Sequence, residues 1–376
     1  MIPYSTQCIE RDDIQAVMEA LRNEYLTGGP TVNEFEEKVA KYVGTKYAVA
    51  VSSGTAALHA ACAVIGIHDG DEVITTPNTW VSTANAALYC GGRTVFADID
   101  KDTYNINPDD IEKNISKRTK AIIPVHYAGQ PCDMERIHKI AEAHHLVVIE
   151  DAAHAIGATY KGNKVGSLSD MTIFSFHPVK QMTTCEGGMI TTNNMALYEK
   201  LKLFRAYGMV KTEEKALEEG PWFSEQMSLG FNYRLSDVQC ALGISQIKKI
   251  DRLVERRREI AKIYNSELQG YDIVLPKQSA DGDSSWHLYP IQVNADKRKA
   301  LYMQFREAGI GVGVHYYPVY KNTYYQQNGY DSICCKASEQ FYTRELSLPV
   351  HYRISDNDLD YILEVAKRLL SERNYG

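Results

Sequence analysis

Several signals of membrane, secreted and metal-binding proteins are absent from this sequence of 376 residues. It has no apolar run of about 18 residues, so no transmembrane helix is predicted. The N-terminus, MIPYSTQCIERDD, lacks the basic segment and apolar core of a signal peptide, which predicts a cytoplasmic location. None of the eight cysteines belongs to a C-x-x-C pair, so we expect reduced, mostly buried thiols and no metal site.

An excess of positive charge is absent as well. The chain has 41 Lys and Arg residues against 48 Asp and Glu residues, and its formal net charge is -7. This balance argues against a nucleic-acid partner. The basic stretch 248–268 contains interleaved acidic residues and is predicted to be a helix with a solvated face.

Short apolar segments alternate with helix-like segments from about residue 34 to residue 250. The predicted strands are 47–53, 72–77, 93–99, 119–126, 146–153, 171–176 and 187–193. This alternation predicts an α/β protein with a mostly parallel central sheet and helices on both of its faces. A helix is also predicted at 12–25, and a surface loop at 208–225.

The pattern changes to mixed helices and strands after residue 250. A chain of this length is long enough for two domains. We therefore predict a large α/β domain at residues 1–250 and a smaller α+β domain at residues 251–376.

Three reactive positions follow predicted strands, where open α/β sheets bind their ligands. The first is the turn Ser52-Ser53-Gly54-Thr55, which leads into a helix. Free N–H groups at a helix start bind anions, so this turn is a candidate phosphate site, although such turns are also common without a ligand. The "GIGVG" at 309–313 does not follow a strand and is not interpreted as a dinucleotide site.

The second and third positions are an acidic residue and a lysine. Asp151 directly follows a strand, with His154 three residues later, and it could hold a ligand cation or simply cap a following helix. Lys180 follows the strand-like "MTIFSF" and could be a Schiff-base nucleophile or an ordinary solvated lysine. Trp80 follows another strand and could stack on a ring or pack in the core.

Taken together, these residues match the needs of pyridoxal 5′-phosphate (PLP). Its phosphate needs an anchor, its ring nitrogen needs a carboxylate, and its aldehyde needs an amine. Gly54 and Thr55, Asp151, and Lys180 would supply these three groups at one edge of the sheet.

Ordered motifs along essentially the whole chain resemble one family. They include "SSGTAALHAA", "DEVITTPNTWVSTANA", "IEDAAHAIGATYKG", "FSFHPVKQMTTCEGG", "GFNYRLSDVQCALG" and "GVHYYPVY". The sequence is similar to the DegT/DnrJ/EryC1/StrS group of fold-type I, PLP-dependent aminotransferases, which act on nucleotide-linked keto sugars. The resemblance implies a Schiff base between Lys180 and PLP and a proton-transfer role for the same lysine.

The resemblance also implies the other contacts. Asp151 would pair with the ring nitrogen beside His154, and Asn232 would reach the cofactor of a neighbouring subunit in a homodimer with shared active sites. The remaining cofactor-binding residues would be Gly54, Thr55, Trp80 and Ser175. The substrate-binding residues would be Tyr4, Thr27, His177, Arg234, His315 and Tyr316, within a segment that continues to Tyr320.

Two positions depart from the family pattern. Cys185 stands where members commonly have glycine, and Tyr320 stands where many have histidine. The six tyrosines from Tyr316 to Tyr330 could offer a surface to a sugar nucleotide or pack within their loop.

Within the family, the motifs "PYSTQ" and "TTPNTWVSTANAALYCGG" look most like those of the transaminases of pseudaminic acid synthesis. This implies amination of UDP-2-acetamido-2,6-dideoxy-β-L-arabino-hex-4-ulose at C4, with L-glutamate as the donor. Two alternatives are a sister aminotransferase acting on another 4-keto or 3-keto nucleotide sugar and a non-catalytic PLP-binding regulator. The retained Lys180 argues against the regulator, because binding alone needs no proton carrier.

Overall fold

The computed structural model describes residues 1–371 of the chain. The strands are β1 (Tyr47–Val51), β2 (Glu72–Thr75), β3 (Arg93–Phe96), β4 (Thr119–Ile123), β5 (Val147–Asp151), β6 (Thr159–Tyr160), β7 (Asn163–Lys164), β8 (Met171–Ser175), β9 (Gly188–Thr192), β10 (Met209–Val210), β11 (Glu225–Gln226), β12 (Gly282–Asp283), β13 (Tyr289–Gln292) and β14 (Glu345–Leu348). The helices are α1 (Arg11–Ala20), α2 (Pro30–Val43), α3 (Gly54–Val64), α4 (Val81–Tyr89), α5 (Pro108–Lys113), α6 (Met134–His144), α7 (Met195–Arg205), α8 (Glu213–Glu219), α9 (Asp237–Ile247), α10 (Ile250–Glu267), α11 (Ala295–Glu307), α12 (Thr323–Tyr325), α13 (Lys336–Arg344) and α14 (Asp356–Ser371).

A seven-stranded sheet with the order β1-β9-β8-β5-β4-β2-β3 forms the centre of the larger body. Strand β9 is antiparallel to both of its neighbours, and the other neighbouring strands are parallel. All seven predicted strands belong to this sheet, so the mostly parallel sheet is confirmed. Because β1, β5 and β8 run in one direction, their carboxyl ends meet at one edge.

Helices cover both faces of the sheet, as predicted. Val49 and Val51 pack on one face with α3 and α7, whereas Ala48 and Ala50 pack on the other face with α2 and α9. Alternate strand residues point to opposite faces, so both sets become buried. Apolar residues on both sides explain why these strands are almost continuously apolar in sequence.

Two predicted segments differ from the structure. Helix α1 ends at Ala20 rather than at residue 25, because Leu21, Tyr25 and Leu26 are exposed and no core contact extends the apolar face of the helix. The segment 208–225, predicted as a loop, contains the short helix α8 between β10 and β11. No residue of α8 is buried, so an apolar periodicity could not reveal it.

A second apolar core lies in the C-terminal part of the chain. It joins the antiparallel pair β13–β14 with α11, α14 and the second half of α10. The first half of α10 contributes Ile250 and Val254 to the core beneath the large sheet, and Ile2 packs against the C-terminal core. The division at residue 250 stays a prediction, and its last five residues lie outside the described range.

Within residues 1–371, no helix is both long and apolar enough to cross a bilayer. The same residues contain no group of three or more His, Cys, Asp or Glu side chains placed to hold a metal ion. All eight cysteines are free thiols, and four of them are buried.

Arg257 of α10 is buried and its guanidinium joins separate parts of the chain. Its Nη1 donates to the carbonyl oxygens of Trp286, His287 and Val350, at 3.2, 3.3 and 2.5 Å. Burial lowers the pKa of this guanidinium to about 10. One side chain therefore connects α10 to the chain before β13 and to the chain after β14.

We expect Arg257→Ala to lower the free energy of unfolding by about 3 kcal/mol, because it leaves three buried carbonyl groups without their donor. Urea titration followed by circular dichroism measures this loss. The matched control is Arg252→Ala in the same helix, whose exposed ion pair with Glu10 should contribute less than about 1 kcal/mol. Equal losses for the two variants would contradict the role of Arg257.

Candidate active site

A cavity of about 530 Å³ lies at the carboxyl edge of the large sheet. Strand ends of the sheet form one wall, and the segment around His315 forms the other. The predicted site residues that line it are Tyr4, Gly54, Thr55, Trp80, Asp151, His154, Ser175, His177, Lys180, His315 and Tyr316. Thr27, Asn232 and Arg234 are not among the residues that line it.

Asp151 ends β5 and is buried at the base of the cavity. One carboxylate oxygen, Oδ2, accepts a hydrogen bond from Thr83 Oγ1 at 2.6 Å, and Oδ1 accepts one from the Ala153 N–H at 3.1 Å. No helix begins directly after Asp151; the next element is β6, so the helix-cap interpretation is wrong. Thr83, on α4, was not predicted, and only its position shortly after Trp80 could have indicated it.

Lys180 enters the cavity from the turn that follows β8. Its backbone N–H donates to the His177 carbonyl at 2.9 Å, and its Nζ lies 3.5 Å from His287 Nε2. Burial lowers the pKa of the amine to about 8; the carboxylate of Asp151 opposes this shift and the charge of Arg257 adds to it. The amine is therefore not an ordinary solvated lysine.

Two histidines adjoin Lys180 at the base of the cavity. The rings of His154 and His287 are 4.3 Å apart, and His154 Nε2 lies 3.1 Å from the hydroxyl of Tyr316. Burial, together with the positive charge of Lys180, holds the pKa of both histidines well below the usual value, so both are neutral. His287 was missed, because nothing in "SSWHLYP" separates it from a structural histidine.

The turn between β1 and α3 lines one end of the cavity. Ser53 caps α3 by accepting a hydrogen bond from the Ala56 N–H at 3.0 Å. The N–H groups of Gly54 and Thr55 lie in the first helical turn, where no intrahelical acceptor exists. A Cβ on Gly54 would lie 3.2 Å from Ser175 Cβ, so glycine permits this close approach of β8.

Several aromatic side chains also line the cavity. Trp80 is 62% exposed and lines the cavity, which excludes the core-packing interpretation. Its ring centroid lies 6.2 Å from that of Tyr316, and the Tyr4 ring lies 5.5 Å from the ring of His315. These rings offer flat surfaces to a bound ring system.

The remaining predicted residues lie elsewhere. Thr27 forms an isolated antiparallel β-bridge with Ser236. The guanidinium of Arg234 lies 5.4 Å from the centre of the Tyr207 ring. Thr27, Asn232 and Arg234 are all exposed.

The six tyrosines from Tyr316 to Tyr330 lie in different environments. Tyr320, Tyr325 and Tyr330 are buried around Phe96, so loop packing is the correct interpretation for these three. The hydroxyl of Tyr320 donates to Glu339 Oε1 at 2.5 Å, away from the cavity. Of the six tyrosines, Tyr316 alone lines the cavity.

Cys185 has a backbone conformation that explains its unusual position. Its φ is 67°, in the left-handed region that favours glycine, which accounts for the glycine common in the family. Its N–H donates to Thr183 Oγ1 at 2.9 Å, and its side chain is exposed.

The sequence signature of the DegT/DnrJ/EryC1/StrS aminotransferase family matches residues 7–367. The chain is 41% identical to the UDP-4-amino-4,6-dideoxy-N-acetyl-beta-L-altrosamine transaminase of Campylobacter jejuni, covering 100% of this chain and 99% of that protein. It is also 41% identical to the spore coat polysaccharide biosynthesis protein SpsC of Bacillus subtilis, covering 98% and 97%.

Solved structures resemble the whole fold. Helicobacter pylori PseC, an aminotransferase involved in the biosynthesis of pseudoaminic acid, aligns with a TM-score of 0.93 and 36% identity over 98% of this chain and 99% of that chain. A Streptococcus pneumoniae protein in its PLP-form aligns with a TM-score of 0.91 and 30% identity over 98% and 100%.

The cavity fits PLP, the cofactor of this family. The glycine turn and the start of α3 can accept its phosphate, the anchored carboxylate of Asp151 can face its ring nitrogen, and the amine of Lys180 can reach its aldehyde. His154 lines the same cavity, and its Nδ1 is buried without a partner among residues 1–371. The chain belongs to the DegT/DnrJ/EryC1/StrS aminotransferase family and is a PLP-dependent aminotransferase.

Proposed function

We propose that the protein transfers the amino group of L-glutamate to C4 of UDP-2-acetamido-2,6-dideoxy-β-L-arabino-hex-4-ulose, in pseudaminic acid biosynthesis. The products are UDP-4-amino-4,6-dideoxy-N-acetyl-β-L-altrosamine and 2-oxoglutarate. The names of the Campylobacter jejuni relative and of Helicobacter pylori PseC support this substrate. The cytoplasmic location predicted from the sequence stays a prediction.

The observation that carries the proposal is the joint placement of Lys180, Asp151 and the start of α3 around one cavity. PLP supplies an electron sink when it is bound. With a pKa of about 8, the amine of Lys180 is neutral often enough to attack a carbonyl and to accept a proton. Asp151, held by Thr83 and Ala153, would keep a proton on the ring nitrogen through its negative charge.

The other residues of the cavity would orient the reactants. Gly54, Thr55 and Ser175 would bind phosphate, and the neutral ring of His154 would lie beside the cofactor ring. The substrate would contact five further residues that line the cavity, Tyr4, Trp80, His177, His315 and Tyr316.

A homodimer would complete each site. Thr27, Asn232 and Arg234 lie outside the cavity of their own chain but adjoin exposed apolar residues. The exposed apolar residues near them are Leu26, Met227, Leu229 and Phe231. Such a patch is typical of a protein interface. Together with the family resemblance, it supports a dimer in which Asn232 reaches the cofactor phosphate of the partner subunit.

We expect Lys180→Ala to lower the rate of 2-oxoglutarate formation by at least about a thousandfold, because it removes both the nucleophile and the proton carrier. A coupled assay for 2-oxoglutarate measures the loss. The control is Lys101→Ala, an exposed lysine that does not line the cavity, which should keep the normal rate. A normal rate in Lys180→Ala would refute the assigned role.

Mixing two inactive variants tests the shared site. Lys180→Ala and Asn232→Ala should each be much less active than the native protein. A mixed dimer would contain one site with both native residues, so unfolding and refolding the two variants together should restore about a quarter of the native rate. No recovery, with dimers present by gel filtration, would show that Asn232 serves its own subunit or none.

A panel of UDP-, TDP- and GDP-linked 4-keto sugars with glutamate tests the substrate. We expect the UDP-linked β-L-arabino sugar to react with the largest kcat/KM, and NMR of the product to show the amine at C4 in the altro configuration. Preference for another sugar would favour the sister aminotransferase. The Bacillus subtilis protein SpsC, which is also 41% identical to this chain, supports that alternative. A bound chromophore that does not respond to glutamate would favour the regulator.

A further inference from the structure

A chain of three side chains runs from the C-terminal core to the wall of the cavity. Ser347 Oγ lies 2.5 Å from Glu345 Oε1, and His315 Nδ1 lies 2.9 Å from Ser347 Oγ. The backbone N–H of His315 donates to the second oxygen of Glu345, Oε2, at 2.6 Å. His315 lines the cavity, whereas Glu345 and Ser347 are fully buried.

The backbone fixes this arrangement. Glu345 and Ser347 are two residues apart on β14, so their side chains leave the same face of the strand. Gly313 pairs with Ser347 through two backbone hydrogen bonds, of 3.1 and 2.9 Å. A Cβ on Gly313 would lie 2.4 Å from His315 Cε1, so the glycine leaves the space that the imidazole ring occupies.

Burial keeps the side chains of Glu345 and His315 uncharged near neutral pH. It raises the pKa of Glu345 to about 8, against the opposing effects of its hydrogen bonds and of Arg298. Burial, with the positive charge of Lys180, lowers the pKa of His315 to about 4. His315 is therefore a neutral imidazole with one proton, and its neighbours decide which nitrogen carries it.

The state of Glu345 determines the direction of both hydrogen bonds. As a carboxylate, Glu345 accepts from the Ser347 hydroxyl, which then accepts from His315 Nδ1–H and leaves Nε2 as an acceptor. When Oε1 is protonated, it donates to Ser347, which donates to Nδ1, so the ring proton sits on Nε2. One proton on Glu345 thus turns His315 Nε2 from an acceptor into a donor.

We propose that Glu345 and Ser347 are positioning residues that set the tautomer of His315 and make its Nε2–H a donor to an oxygen of the substrate at neutral pH. This inference rests on the substrate-binding role proposed for His315. The oxygen is either in the carboxylate of the amino donor or in the keto sugar nucleotide, since both are rich in acceptors. Donation from a neutral ring selects an oxygen without adding a charge beside Lys180.

Other titratable groups lie near the hydrogen-bonded side chains of Glu345, Ser347 and His315. Their titration must be distinguished from that of Glu345. They are Tyr4, Tyr104, Tyr127, His154, Lys180, His287, Arg298 and Tyr316. Burial raises the pKa of the four tyrosines and lowers that of the two histidines, so these groups stay neutral. Lys180 alone has a pKa near that of Glu345, so the test compares variants of Glu345 and Ser347.

NMR of the PLP-loaded enzyme containing ¹⁵N-histidine reads the tautomer directly, with the His315 signals assigned by loss in His315→Asn. We expect Nε2–H at about pH 7 and Nδ1–H at about pH 9 in the native enzyme. Glu345→Gln should keep Nε2–H at both pH values, because its amide N–H₂ donates to Ser347 as the protonated carboxyl does. Ser347→Ala should abolish the pH-dependent change.

Ser338→Ala is the matched control. This buried serine also donates to a carboxylate, Asp98 Oδ1 at 2.8 Å, but it lies outside the cavity, so its variant should change tautomer as the native enzyme does. A native His315 that keeps one tautomer at both pH values, or a Glu345→Gln variant that still changes, would overturn the assignment.

Half-reaction kinetics identify the substrate oxygen. In the native enzyme, KM for the substrate that His315 contacts should rise about tenfold between about pH 7 and pH 9, and Glu345→Gln should remove the rise. A rise confined to glutamate indicates the carboxylate, and one confined to the keto sugar indicates the nucleotide sugar. A change of tautomer with neither KM affected would refute the contact. The glutamate and NMR results do not require that the proposed sugar be correct.

Discussion

The buried guanidinium of Arg257 is the interaction on which the geometry of the cavity depends. It binds the carbonyls of Trp286, His287 and Val350, and so fixes the chain on both sides of the β13–β14 pair against α10. The side chain of His287 then lies beside Lys180. The same positive charge lowers the pKa of the lysine, so one residue contributes to both the shape and the electrostatics of the site.

Burial acts on the ionisable groups of the site in one direction, toward their neutral forms. Lys180 has its pKa lowered to about 8, and His154, His287 and His315 are neutral at physiological pH. Neutral histidines do not compete with a protonated cofactor ring for the negative charge of Asp151. The start of α3 offers an anion only partial positive charge from its N–H groups.

The sequence revealed the parts of the site that follow strands. Asp151 and Ser175 end β5 and β8, and Gly54 and Lys180 follow strands within a few residues, so their meeting at one sheet edge could be expected. Thr83 and His287 could not be predicted in the same way. They come from α4 and from the chain before β13, and only tertiary packing brings them to Asp151 and Lys180. Helix α8 could not be predicted either, because none of its residues is buried and its sequence therefore has no apolar periodicity.

Helix α10 contributes to both apolar cores, which limits how the polypeptide can be divided. Val254 belongs to the core beneath the large sheet, and Tyr264 belongs to the C-terminal core. Ile2, near the N-terminus, also packs against the C-terminal core. A cut before residue 251 would carry Val254 away from its core and leave Ile2 on the wrong fragment. Neither fragment would retain a complete interior, so we expect neither of them to fold by itself.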